Sequence, residues 1–81
     1  MAETRYEIVE EDKEARDELL SEIMPRHLLE GIAYFCMVES GEPMSPADMT
    51  DFLGVSDSWY TERFSEAVRK LIGKGLIREV A

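Results

Sequence analysis

Apolar residues recur at helical spacing in four stretches of this chain and alternate with polar ones in two. Arg5-Tyr6-Glu7-Ile8-Val9 alternates and is rich in β-formers, so it reads as a short strand or else a frayed terminus. From Glu10 to Met24 the spacing predicts a helix, with Ala15, Leu19, Leu20, Ile23 and Met24 on one face. Glu11, Asp12 and Glu14 crowd its first turn, where the helix dipole favours anions. Pro25 lacks an N–H, so it ends that helix and suits the first turn of the next. Residues 26–39 form the second helix, apolar around nearly its whole circumference, which predicts a central place in the core. Ser40-Gly41-Glu42-Pro43 is a turn. In Ser45-Pro46-Ala47-Asp48, Ser45 caps free amides, Pro46 fits the first helical position and Asp48 completes a box. That third helix runs to about Leu53. Beyond Gly54-Val55-Ser56, either Ser56 or Asp57 caps a fourth helix, which ends near Ile72. Its stripe is Tyr60, Phe64, Ala67, Val68 and Leu71. Gly73-Lys74-Gly75 then turns the chain into Leu76-Ile77-Arg78-Glu79-Val80, a closing strand. Pairing it with Tyr6–Val9 would protect both edges.

A length of 81 residues predicts one domain with one small core. Residues 1–24 form an acidic extension and helix, and 25–81 the core. Hydrophobic residues at 44% and charged ones at 33% predict a folded rather than a disordered chain. The net charge of −9 argues against a protein whose whole surface binds nucleic acid or membrane. That charge is uneven: residues 1–24 carry −6, residues 25–53 carry −4, and residues 54–81 carry +1. A single cysteine leaves no internal disulfide. The first residues lack the basic and apolar pattern of a leader, and the longest nearly apolar run is Gly31 to Val38. A cytoplasmic, membrane-free protein is expected.

The short capped helix, Leu53-Gly54-Val55-Ser56, the long helix and Lys74-Gly75-Leu76-Ile77 together resemble the winged helix-turn-helix family. A glycine turn swings one helix steeply into the next, Val55 plugs the core between them, and the last strand returns beneath. The resemblance covers residues 26–81. It implies a mainly α domain with a minimal strand pair and a truncated wing, because no hairpin follows Val80. It also implies that the fourth helix lies in the major groove of duplex DNA. Ser58, Trp59, Arg63, Arg69, Lys70 and Lys74 are then the candidate DNA contacts. The resemblance further implies a dimeric transcriptional regulator, since one short helix reads only a few base pairs. Leu19, Leu20, Ile23 and Met24 are the expected dimer seam unless that face is all core, since in so short a chain seam and core draw on the same residues. Against DNA binding stand Asp57, Glu62 and Glu66 on the same helix, which cancel its cations over residues 57–70.

The acidic N-terminal part offers a second function. Glu10, Glu11, Asp12, Glu14, Asp17 and Glu18 can stand in for phosphates and occlude a basic, nucleic-acid-binding protein. Small phage and plasmid inhibitors, anti-CRISPR proteins among them, look like this in size and charge. A third reading is a structural or assembly module that makes contact through Trp59 and the N-terminal strand. Trp59 either packs on the N-terminal helix or stands exposed as a binding hot spot. His27 has no second histidine to share a metal, and Cys36 sits in the most apolar helix as a core residue. With no catalytic motif and no phosphate loop, no enzyme, cofactor or metal is expected.

Overall fold

The computed structural model describes residues 4–80. In chain order the elements are β1 (Arg5–Ile8), α1 (Lys13–Ile23), α2 (Leu28–Ser40), α3 (Pro46–Leu53), α4 (Ser58–Gly73) and β2 (Ile77–Val80). The chain is mainly helical and carries one small antiparallel sheet. Its radius of gyration is 11.6 Å; a compact chain of this length is expected near about 12 Å.

Each boundary has a local cause. α1 begins at Lys13 rather than Glu10, because Asp12 is its cap and accepts from the Ala15 amide at 3.0 Å. Glu10 in turn accepts from the Asp12 amide at 3.1 Å, so Glu10 to Asp12 form the approach to the helix. α2 begins at Leu28, not residue 26, and Pro25 lies in the connection instead of the first turn. The Ile23 carbonyl accepts from both Arg26 (3.1 Å) and His27 (2.8 Å), which closes a turn and redirects the chain. α3 has the expected box: Ser45 accepts from the Asp48 amide and Asp48 from the Ser45 amide, at 3.1 and 2.9 Å. Gly54 ends α3 in the left-handed region at φ 74°, where a side chain would be strained. Of the two candidate caps, Asp57 starts α4 by accepting from the Trp59 amide at 2.9 Å.

The two strands pair antiparallel, from Arg5 opposite Val80 to Ile8 opposite Ile77. Met44 adds a bridge that sequence periodicity does not announce. Its amide and carbonyl exchange hydrogen bonds with those of Tyr6, both at 2.9 Å, just before the Ser45 cap of α3.

α2 is the centre of the core. Ala33, Tyr34, Cys36 and Met37 meet Phe64, Ala67, Val68 and Leu71 of α4, with Met49 from α3, Ile23 from α1 and Ile8 and Ile77 from the sheet. α2 takes the central place expected of it, yet one stripe stays open: Leu28 is 62% exposed, and Ile32 and Phe35 are half-buried. Of the four α1 residues offered as a dimer seam unless they are core, three serve the core. Ile23 is buried, and Leu19 and Leu20 pack against the core cluster. An amphipathic helix in so short a chain has one apolar face, and its own domain takes it.

α1 and α2 cross closely at Gly31. A Cβ there would lie 2.9 Å from the Met24 Cα, a backbone atom that cannot swing aside. Gly31→Ala should therefore lower stability by about 1–3 kcal/mol through overpacking, although alanine is the better helix former by about 1 kcal/mol. Thermal unfolding followed by far-UV dichroism measures this, and an unchanged or raised midpoint would refute the close crossing. Tyr34 makes the opposite case. Its ring is fully buried, and its hydroxyl has no hydrogen-bond partner among the described residues. Tyr34→Phe removes an unsatisfied polar atom and should raise stability by about 1 kcal/mol in the same assay.

Candidate functional site

α4 presents two flanks beside its buried stripe, and the candidate DNA contacts divide between them. At 100° per residue, Trp59, Arg63, Glu66 and Lys70 share the flank turned toward α2. Ser58, Glu62 and Arg69 point the other way and are exposed. Lys74, at the C-terminal cap of α4, belongs to the α2 side. It donates to Glu30 at 3.0 Å. Four of the six sequence candidates thus lie on the α2 side of α4, most of them still exposed.

The α2 flank borders a groove. One hollow of about 590 Å³ is lined by Leu28, Trp59, Arg63 and Lys70 among others. A second, of about 470 Å³, is lined almost wholly by apolar side chains, including Met24, Phe35, Leu53 and Val55. The two share Leu29, Ile32 and Tyr60, so they form one surface. Val55 is only half-buried and is a wall of this groove, not a plug sealed in the core. Trp59 is 47% exposed and lines the groove beside Leu28, so it does not pack away on α1. Its ring meets Tyr60 edge-on at 5.0 Å. Arg63 lies over the Trp59 ring at 5.2 Å and pairs with Glu66 at 3.3 Å. The cation is thereby occupied twice, once by the ring face and once by a carboxylate.

Glu30 is the site residue that pattern reading missed. It is the only charge in residues 28–38, and it is buried. Its carboxylate lies 3.0 Å from Lys74 Nζ and 3.3 Å from His27 Nδ1. The signal was present: one acid in an otherwise apolar helix has to find a cation. Arg69 and Lys70, by contrast, have no ion-pair partner among the described residues.

On α1 and its approach, Glu11, Asp12, Glu14, Asp17 and Glu18 are exposed, while Glu10 is half-buried. Glu10 and Asp12 serve local structure: both carboxylates accept backbone amides, and the Glu10 carbonyl accepts from Arg16 Nε at 2.5 Å. Glu11, Glu14, Asp17 and Glu18 remain as an open acidic face.

No family model, curated protein or solved structure matches this chain. The groove and the two flanks of α4 therefore carry the functional argument on their own geometry. Among the described residues, no group of three or more His, Cys, Asp or Glu side chains is placed to hold a metal ion. No helix among them is long and apolar enough to cross a membrane.

Cys36 is fully buried, and burial pushes its thiol from 9.0 up to about 11. At pH 8 this leaves about 100-fold less thiolate than an unshifted thiol has. Disulfide-exchange labelling should therefore be slow in the folded protein and fast in denaturant, and equal rates would contradict the burial. The sign for stability follows. Between about pH 9 and 11 the unfolded chain gives up the Cys36 proton while the folded chain keeps it. Stability from this group is complete below that window and falls as pH rises through it.

Proposed function

We propose that this chain is a small winged-helix regulator that binds duplex DNA as a dimer, with the outer flank of α4 toward the major groove. The corner between α3 and α4 carries this reading. Gly54 in the left-handed region and a Val55 amide donating to the Thr50 carbonyl at 3.0 Å end α3 in a tight turn just before α4, the kind of connection a helix-turn-helix uses. α4 then lies with its buried stripe on the core and its far side open along 16 residues. β2 returns beside it and is held by β1, which supports a winged-helix arrangement with a reduced sheet.

The reading is narrower than the six sequence candidates. Ser58 and Arg69 stand on the outer flank, whereas Lys70 lies on the α2 flank and lines the groove. Arg63 and Lys74 are paired with Glu66 and Glu30 and are poor phosphate ligands. Few free cations mean weak non-specific affinity and a shallow salt dependence, so binding must rest on direct contacts to bases.

A selection from random duplex DNA at about 50 mM salt tests this. The expected result is an enriched sequence, bound about 5- to 100-fold less tightly by Arg69→Ala. Absence of any enriched sequence would end the regulator reading. The open carboxylates Glu11, Glu14, Asp17 and Glu18 favour the second reading, an acidic module that occludes a basic, nucleic-acid-binding protein. That reading predicts loss of binding to such a protein on Glu14→Lys with Asp17→Lys, and no loss with Arg69→Ala.

A further inference from the structure

Among the described residues, seven large apolar side chains are exposed: Val9, Leu28, Phe52, Leu53, Trp59, Tyr60 and Ile72. Single exposed apolar residues are ordinary, but a contiguous patch marks a contact surface. Four of the seven, Leu28, Leu53, Trp59 and Tyr60, line the α2–α4 groove. We infer that this groove is the seam between two copies of the chain. The inference deepens the regulator reading by naming the surface of the dimer that reading requires.

Charge selects the occupant. Each copy carries −9, so faces dominated by the α1 carboxylates repel one another. The groove is different. Its ionised side chains are Arg63, Lys70, Glu30 and Glu66, which cancel when His27 is counted as neutral. It is an apolar, electrically neutral surface on a strongly acidic molecule. A basic protein would be drawn to α1, and DNA requires an excess of cations. A second −9 copy meets no net repulsion at this patch.

The surface is also self-complementary. Arg63 and Glu66 lie one turn apart on the same flank of α4 and now pair with each other at 3.3 Å. With two α4 helices antiparallel across a two-fold axis, Arg63 of one copy faces Glu66 of the partner subunit and the reverse, as an isologous contact requires. Trp59 and Leu28 are the large apolar anchors, the kind of residue that dominates binding energy when buried at the centre. Thirteen of the sixteen groove-lining residues are open enough to meet a partner, and a standard contact with its rim uses about 20–30 a side. Such a contact covers about 800 Å² per copy, close to one-seventh of a surface of 5371 Å².

Sedimentation equilibrium of the full chain tests the seam. The expected species has twice the 9.3 kDa chain mass. Leu28→Glu and Trp59→Ala change exposed residues and should each weaken dimerisation by about 30-fold or more with unaltered dichroism. Should one of the two fail to fold, the other still decides. Arg63→Glu should dissociate the dimer, and Arg63→Glu with Glu66→Arg should restore it, an outcome that loss of folding cannot imitate. A monomer at about 200 µM, or a dimer that none of these variants weakens, would overturn the proposal. The DNA selection is independent of this. A dimer sensitive to Leu28 that selects no sequence upholds the seam while ending the regulator reading. A monomer that selects a sequence overturns the seam and the dimer but leaves sequence-selective DNA binding standing.

Discussion

A buried carboxylate sets how the two longest helices lie against each other. Glu30 sits near the start of α2 within an otherwise apolar run, and burying it unpaired would cost several kcal/mol. Lys74, 44 positions along the chain at the cap of α4, reaches it at 3.0 Å and is itself partly exposed. A buried pair of this kind is poor evidence for added stability, because desolvation opposes the attraction. Its effect is on register. The position of α4 along α2 that brings Lys74 to Glu30 also stacks Phe64, Ala67, Val68 and Leu71 in the core with α2. It also leaves Trp59 and Tyr60 at the open end of the groove, beside Leu53 and Val55.

The other constraint acts through the backbone. Tyr6 pairs with β2 on one side and with Met44 on the other, so three distant parts of the chain share one short ladder. Met44 immediately precedes the Ser45 cap, and Gly54 closes α3 only eight residues after Pro46. The start of α3, its end and the entry to α4 are therefore fixed in sequence by a bridge, a box and a left-handed glycine. α4 is held at one end by this corner and at the other by Lys74. A helix held twice is a rigid platform, and a recognition surface needs one, whatever its ligand.

Much of this was legible in the residues. The Ser45–Asp48 box, Gly54 and the apolar stripe of α4 follow from local chemistry, whereas the pairing of the two strands, 69 or more positions apart, was only one of the arrangements the residues allowed. The failures share a cause. Periodicity tells which residues are apolar but not which apolar stripe lacks a cover, so the pattern that rightly placed α2 at the centre could not show that Leu28, Ile32 and Phe35 line a groove. Likewise the cations of α4 looked equivalent in sequence. Glu30 takes Lys74, and Glu66 with the Trp59 ring takes Arg63, and both partners had to be placed in space before that could be known. The start of α1 moved because Asp12 and Glu10 spend their carboxylates on backbone amides.

The division of α4 ties the two functional inferences together. Its inner flank is apolar and neutral and includes Lys70, and its outer flank holds Arg69. One cation on that flank makes a feeble electrostatic grip on a phosphate backbone, since each phosphate contact supplies one step of the salt-dependent affinity. A single chain would hold DNA poorly against the repulsion of its own 18 acids. Pairing two chains joins two weak sites, so the second binds at the effective concentration set by the first. On the proposed dimer, the inner flank would supply through association what the outer flank lacks in charge. The exposed acids of α1 would then repel other copies over the remaining surface and favour association through the neutral groove.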